Sequence, residues 1–345
     1  MDSIFIIVFL FLLGMVLIIK GGDFFVDSAS WMAEVFGIPK LIVGATIVSL
    51  ATTLPEMLVS FIAAAEGKAD MAVGNAIGTI TANVGLIMAV FILFMPTVIK
   101  RSDYLVKSIL VLAAATTVFL FANDGQYEFE SSIILFAIFI IFIVDNVKHA
   151  LYCMKEKHKH DLEELQESKK FIHRIKIKLG LENEPVSPKV IRYQIGINML
   201  KFILGAAAIV LGADLLTTNG SELARIIGIS ERVIGVTIIA IGTSLPELVT
   251  TVTAIIKKEA SLSAGNIIGA NIINLTLILP ICALLSRGNL PVSSQLIQID
   301  FPACLLVTGI SIIPTLITKK FARWQGIIMI GTYIGYILMT TTMVI

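Results

Sequence analysis

The sequence is poor in charged side chains. Only 15% of its 345 residues are charged and 57% are hydrophobic, whereas a soluble domain carries about 25% charged residues. The net charge of +1 says nothing about partners, because the distribution of charge along a membrane protein matters more than its sum. This composition indicates a protein of the lipid bilayer rather than a soluble domain.

Several chemical signatures are also absent. The three cysteines, Cys153, Cys282 and Cys304, lie far apart and form no metal-ligand or redox spacing. We find no nucleophile motif and no phosphate-binding loop, so we do not expect an enzyme. The first apolar run, residues 4–19, lacks a basic leader and a small-residue cleavage site, so we interpret it as a spanning helix and not as a signal peptide.

Long apolar segments dominate what remains. A spanning helix needs about 20 mostly apolar residues. Ten segments qualify, at about residues 3–20, 40–64, 71–98, 104–122, 130–151, 194–216, 231–256, 262–286, 294–316 and 323–344. The sequence therefore predicts an all-α integral membrane protein with ten transmembrane helices.

The basic residues predict the orientation in the membrane. If the long charged segment 152–193 is cytoplasmic, the outside loops receive only Lys68, Arg225, Arg232 and Arg287, and the inside loops receive most of the other lysines and arginines. Enrichment of basic residues in cytoplasmic loops is the general rule. We therefore expect a multi-pass cell-membrane protein with both termini outside.

The segment 152–193 itself allows more than one interpretation. Its acidic stretch, residues 161–167, is either a regulatory ion sensor or a solvated linker helix. Further on, apolar residues share one face at helical spacing with basic residues around them, namely Phe171, Ile172, Ile175 and Leu179. That pattern suits a helix lying on an anionic membrane surface, so membrane lipid is an expected partner.

The sequence contains an internal repeat. Residues 44–56 read GATIVSLATTLPE and residues 235–247 read GVTIIAIGTSLPE, at an offset of 191. The same offset pairs further residues without a gap: Gly21 with Gly212, Asp23 with Asp214, Gly74-Asn75 with Gly265-Asn266, and Asn83 with Asn274. Apolar helices share leucine and isoleucine by chance, but they do not share these polar motifs at one fixed offset.

The repeat predicts two halves, residues 1–151 and 194–345, joined by the loop 152–193. Each half holds five of the ten predicted spans. Because five is odd, the second half enters the membrane from the opposite side and is inverted relative to the first. Inverted repeats are a common transporter plan, with the ion site between the repeats near the middle of the bilayer.

The repeated motif places a carboxylate inside the membrane. Glu56 and Glu247 fall near the middle of apolar segments, where an ionised group costs several kcal/mol unless it is paired or functional. Each glutamate follows a proline, which has no N–H to donate to the carbonyl four residues earlier, at Ala51 or Gly242. Free carbonyls are tolerated in a membrane where they line an ion site.

These oxygens predict a site for a hard cation. Each motif offers a carboxylate, loosened backbone carbonyls and hydroxyl groups, which suit Ca²⁺ and also Na⁺. Asn83 and Asn274 each add an amide oxygen, unless they only form interhelical hydrogen bonds. The alternative for the glutamates is a proline kink in which a neighbouring helix holds the carboxyl group.

The paired motifs Thr-[Thr/Ser]-Leu-Pro-Glu and Gly-Asn-x-Ile-Gly resemble the repeats of the cation/Ca²⁺ exchanger superfamily, and most of all its prokaryotic sodium/calcium exchangers. The resemblance covers both halves and not the central loop. It implies a core formed by predicted helices 2, 3, 7 and 8. It further implies that the long helices 1 and 6 slide across this core for alternating access.

The resemblance also implies a set of ligands. Its Ca²⁺ ligands fall on the side chains of Glu56 and Glu247 and on the carbonyls of Thr52 and Thr243. Its Na⁺ ligands fall on the carbonyls of Ser49 and Ala240, on the side chains of Thr53, Ser244 and Thr79, and on Glu56, Thr243 and Glu247. Its central polar pair falls on Asn83 and Asn274.

The sequence departs from the family pattern at two places. Ala270 stands where many sodium-coupled members have serine, and Asn274 stands where some have aspartate. Members of the proton-coupled branch typically have glutamate at the place of Gly78 and Gly269, which argues against that branch. We therefore expect a Ca²⁺/Na⁺ antiporter, with a Ca²⁺/H⁺ antiporter as the alternative. The ions are transported partners and no tightly bound cofactor is expected; neither is a nucleic-acid partner, and no protein partner can be inferred.

Overall fold

The computed structural model describes residues 2–96, 101–122, 124–179, 188–228, 242, 244–286 and 288–342. These residues are mostly helical. Seven of the described helices are long and apolar enough to cross a membrane, and one bent pair of helices reaches this length and apolarity when the two are taken together. The membrane class predicted from the composition is thus confirmed.

The elements of the first part of the chain are α1 (Asp2–Phe36), α2 (Lys40–Thr52), α3 (Leu54–Ala65), α4 (Ala69–Phe94), α5 (Arg101–Phe121), β1 (Gln126–Glu128) and α6 (Phe129–Leu179). Those of the second part are α7 (Pro188–Ile226), α8 (Leu245–Ile256), α9 (Ala260–Leu285), β2 (Asn289–Pro291), α10 (Leu296–Thr318) and α11 (Arg323–Thr342). The two strands pair antiparallel and join the connections α5–α6 and α9–α10.

Four predicted helix ends, on three helices, are wrong. Helix α1 continues to Phe36 and not to residue 20, α7 fills 188–226 and not 194–216, and α6 runs past residue 151 to Leu179. In α6 the apolar run stops where charges begin, but the lysines and glutamates that follow are good helix formers. Hydropathy therefore marked the apolar part of α6 and missed its polar extension.

Helices α1 and α7 form a close antiparallel pair. A Cβ added to Gly14 would lie 2.9 Å from the Gly212 carbonyl oxygen, and one added to Gly21 would lie 2.9 Å from the Gly205 carbonyl oxygen. The order of these contacts makes the helices antiparallel. Small residues at such a crossing let two backbones approach where no solvent drives association. The rings of Phe25 and Phe202 stack beside it at 4.5 Å.

A second tight crossing joins α2 to α9. A Cβ at Gly265 would collide with the Leu41 carbonyl oxygen, and one at Gly269 with the Ala45 carbonyl oxygen. Both glycines therefore allow close helix packing, whereas a Cβ at their repeat mates Gly74 and Gly78 would meet nothing closer than 4.0 Å. Around this crossing, α3, α4, α5, α10 and α11 complete a bundle with a buried apolar core.

Candidate cation-binding site

Helices α2 and α3 are two arms of one bent segment. Their axes meet at 48°, and Thr53 lies between them, with its N–H still bonded to the Ser49 carbonyl at 2.9 Å. Pro55 lies in the first turn of α3, where its missing N–H costs little because first-turn N–H groups have no partner within the helix. The break expected before this proline is therefore present.

The same arrangement starts α8. This helix begins at Leu245, and Pro246 and Glu247 lie in its first turn, as Glu56 lies in the first turn of α3. The N-terminus of a helix carries partial positive charge and favours an anionic side chain. Both glutamates are thus held where the local backbone stabilises a carboxylate.

The two carboxylates lie in one site. Glu56 is within electrostatic range of Glu247, and both side chains are 0% exposed. The Thr53 hydroxyl donates to Glu247 Oε1 at 3.4 Å, whereas Glu247 Oε2 and both oxygens of Glu56 have no partner. Two buried like charges with so few hydrogen bonds require a counter-ion or protons.

The donors available to such a counter-ion are mixed. Among the described residues, no three or more His, Cys, Asp or Glu side chains come together in a group that could hold a metal ion. A cation between Glu56 and Glu247 would therefore meet two carboxylates and otherwise neutral oxygens. Ca²⁺ accepts six to eight oxygens of this mixed kind, so the donor chemistry suits it.

Asn83 and Asn274 lie on turns that each pack against the glutamate helix of the other half. Helix α4 has a π-helical turn that begins at Asn83, and α9 has one that begins at Asn274. Helix α8 packs on the first of these turns and α3 packs on the second. Single π-turns inside α-helices often mark functional sites. Each asparagine thus lies on a locally distorted helix next to a glutamate helix of the opposite half.

Both asparagines keep an amide oxygen for a further ligand. The Asn274 amide donates to the Ala270 carbonyl at 2.9 Å, while its Oδ1 has no partner. Neither amide atom of Asn83 has a partner. The alternative in which these residues only bond neighbouring helices is thus not what the structure shows.

The remaining predicted ligands surround the break. Ser49, Thr52, Thr79 and Ser244 are all buried. The Ser49 carbonyl accepts the Thr53 N–H at 2.9 Å and the Thr52 hydroxyl at 3.3 Å, so an ion at this carbonyl would have to displace one donor. The Ser244 hydroxyl is buried without a partner. Ala240 and Thr243 lie outside the described residues.

Two further asparagines support the site and were not predicted as site residues. The Asn75 amide donates to the Glu56 carbonyl at 3.2 Å and to the Ser60 hydroxyl at 2.8 Å. Its repeat mate, Asn266, accepts the Thr52 hydroxyl at 3.2 Å. The only signal in the sequence was their recurrence at the repeat offset, which did not indicate what they contact.

Comparisons with known proteins agree with this chemistry. The sequence profile of the family described as sodium/calcium exchanger protein matches residues 6–147 and 197–342. The sodium/calcium exchanger MaX1 of Methanosarcina acetivorans is 28% identical, over 94% of this chain and 96% of its own. The inner membrane protein YrbG of Escherichia coli is 31% identical, over 96% of this chain and 95% of its own.

A solved structure extends the match to three dimensions. The sodium-calcium exchanger NCX_Mj, soaked with Na⁺ and Sr²⁺, superposes with a TM-score of 0.77 and 25% identity, over 97% of this chain and 99% of that one. The matched exchangers are transporters and not enzymes. On the profile match to both halves, together with these relatives, this chain belongs to the sodium/calcium exchanger protein family, a membrane family of cation/Ca²⁺ antiporters.

Proposed function

We propose that this protein exchanges Ca²⁺ for Na⁺ across the cell membrane by alternating access. The observation that supports this most is the pair Glu56 and Glu247, both fully buried, with three of their four carboxylate oxygens unpartnered. Two carboxylates balance the charge of one Ca²⁺. The protein would act as a transporter and not as an enzyme, without a tightly bound cofactor.

The proposed Ca²⁺ ligands are the side chains of Glu56 and Glu247 and the carbonyls of Thr52 and Thr243. The proposed Na⁺ ligands share both glutamates and add the Ser49 and Ala240 carbonyls, Thr243, and the side chains of Thr53, Ser244 and Thr79. Asn83 and Asn274 would contribute amide oxygens at the centre. The sharing of oxygens is supported by the contact between Thr53 and Glu247, which joins one proposed ligand from each half.

Competition for these oxygens would produce exchange. A site that holds Ca²⁺ with two carboxylates is neutral, and adding several Na⁺ ions would leave it with excess positive charge in a region of low dielectric, where charge is costly. The two loads would therefore exclude each other. The Na⁺ gradient could then drive Ca²⁺ movement without another source of energy.

The proposed architecture has ten spans in two inverted halves, residues 1–151 and 194–345, with the connecting segment 152–193 in the cytoplasm and both termini outside. The antiparallel crossing of α1 and α7 at glycines related by the repeat supports this plan. The crosswise placement of the two π-turns supports it as well. Membrane lipid would surround the exposed apolar faces.

Flux measurements in proteoliposomes test the proposal. We expect radiolabelled Ca²⁺ uptake driven by an outward Na⁺ gradient, and its loss in both Glu56→Gln and Glu247→Gln, because each change removes a charged ligand. Asp300→Asn is the matched control, since Asp300 is a buried carboxylate within a span that is held by the Tyr336 hydroxyl at 2.6 Å.

Each alternative predicts a different result. Uptake that persists without Na⁺ and follows a pH gradient would assign the protein to Ca²⁺/H⁺ exchange. Normal uptake by both glutamine variants would refute the site. Loss of uptake in the Asp300 variant to the same extent would show that any buried carboxylate is needed, and would remove the special role of the pair.

A further inference from the structure

One end of the α1–α7 pair is tied to the core by ionic contacts. The Lys40 ammonium group, at the start of α2, lies 2.8 Å from Glu259 Oε1 in the α8–α9 connection. The Ser30 hydroxyl of α1 donates to the same oxygen at 2.8 Å. Lys40 also pairs with Glu34 of α1 at 2.8 Å. We call Ser30, Lys40 and Glu259 the latch.

A second contact reinforces the same end. Lys257, in the α8–α9 connection, lies 2.8 Å from Asp27 Oδ1 and 3.2 Å from Asp23 Oδ1, both on α1. Burial lowers the pKa of Lys257, but its hydrogen bonds to Asp27 and Asp23 outweigh this effect and raise the pKa above its ordinary value. The lysine is therefore charged at physiological pH.

The other end of the pair is joined differently. Lys68, the repeat mate of Glu259, pairs with Glu66 in its own connection at 2.6 Å, and both side chains are more than half exposed. Ser221, the repeat mate of Ser30, is buried with an unpartnered hydroxyl. Helix α1 packs closely on α8, whereas the corresponding contact of α7 with α3 is far sparser. The two ends of the α1–α7 pair thus make different contacts with the rest of the bundle.

The repeat offset inverts the charges of the latch. Adding 191 to Lys40 gives Glu231, and subtracting 191 from Glu259 gives Lys68. Glu231 lies outside the described residues, so it contributes only its place in the sequence. The lysine and the glutamate of the latch thus correspond to a glutamate and a lysine at the repeat positions of the sequence.

We propose that Lys40 and Glu259 are positioning residues of the transport cycle. Through their contacts with Glu34 and Ser30 of α1, they hold the α1–α7 pair against the core in one state of the carrier. In the opposite state this latch opens, and Lys68 moves to the end of α7 that carries Ser221. The proposal rests on alternating access as the proposed function, and it concerns the equilibrium between two states, not the ion site.

The test measures accessibility rather than transport. Thr253 of α8 lies under α1, where its hydroxyl oxygen is 2.7 Å from a Cβ added to Gly22. A cysteine at Thr253, in a Cys153→Ser background because Cys282 and Cys304 are buried, would react with a water-soluble thiol reagent only when α1 moves away. Because the readout needs no ion flux, a failure here is separable from a failure of the Ca²⁺ site.

We expect Lys40→Glu and Glu259→Lys each to raise the labelling rate of Thr253→Cys by about tenfold, the population change that ~1.4 kcal/mol produces. The double swap should label as fast as the single variants. It rebuilds only the bridge between α2 and the α8–α9 connection, and it places a negative charge at position 40 beside Glu34 of α1 and removes the acceptor of the Ser30 hydroxyl. Lys320→Glu is the control, since it makes the same charge change at an exposed site far from the latch in sequence. Slow labelling in the double swap, or fast labelling in the control, would overturn the latch.

Lys68→Glu tests the other half of the proposal. It should lower the labelling rate of Thr253→Cys, because it destabilises the state in which α1 has left α8. An unchanged rate would show that Lys68 does not support that state. A raised rate would contradict the proposal directly.

Discussion

Replacing Gly269 with alanine adds a single methyl group, and this small change should strongly disturb the proposed ion site. Gly269 lies on α9 against α2, and an added methyl group would collide with the Ala45 carbonyl oxygen and the Ser49 hydroxyl, and would lie 2.7 Å from the Ala45 carbonyl carbon. Ordinary contacts begin at 3.4 Å. Gly269→Ala therefore requires α2 and α9 to separate by ~0.7 Å or more, because backbone atoms cannot rotate away.

The displacement should weaken both packing and binding. Overpacking of this kind costs about 1–3 kcal/mol. Helix α2 also carries Ser49 and Thr52 toward the break, and a ligand displaced by about 1 Å can cost on the order of 100-fold in a precisely arranged site. We expect the Ca²⁺ concentration for half-maximal uptake to rise by about tenfold or more.

Two assays and one control decide this prediction. Ca²⁺ uptake into proteoliposomes gives the half-maximal concentration, and thermal unfolding of the purified protein gives the stability. Gly331→Ala is the matched control, because a Cβ there meets nothing within 4 Å. If Gly269→Ala binds Ca²⁺ and unfolds like the control, the crossing of α2 and α9 does not set the geometry of the site.

Three further substitutions probe single contacts. Asn75→Ala removes the amide that donates to the Glu56 carbonyl and to Ser60. Leaving these buried polar groups unpaired costs about 1–3 kcal/mol, so the midpoint temperature of thermal unfolding should fall. An unchanged midpoint would contradict this. Thr53→Val removes the hydroxyl that contacts Glu247 and should weaken Na⁺ and Ca²⁺ activation several-fold in flux assays, whereas Thr53→Ser should not. Ala270→Ser adds a hydroxyl where the repeat mate Thr79 has one, and it should lower the Na⁺ concentration for half-maximal exchange; no change would place that Na⁺ ligand elsewhere.

The chemistry of the site was more predictable than the length of its helices. A proline before a glutamate in an apolar segment has few stable solutions, because both the freed carbonyl and the charge need a partner. Its repetition at Glu56 and Glu247 therefore predicted the break and the buried carboxylates. Helix length has no such constraint, since α6 leaves the apolar run and continues as a charged helix to Leu179.

Contacts between distant parts of the chain were not predictable. Asn75 and Asn266 recur in the sequence, yet their partners Glu56 and Thr52 depend on how α4 and α9 cross the broken segment. The latch joins Lys40 to Glu259, which are 219 residues apart. From the sequence, charged residues in loops indicate only which side of the membrane a loop lies on. Which of them form ion pairs depends on the folded structure.

Direct Ca²⁺ binding is the most decisive measurement. Titration calorimetry of the purified protein without Na⁺ should give one Ca²⁺ per chain. Glu56→Gln and Glu247→Gln should each abolish that same site, because one ion needs both carboxylates. Two Ca²⁺ ions per chain, each lost with a different glutamate, or binding that survives in either variant, would contradict a shared site.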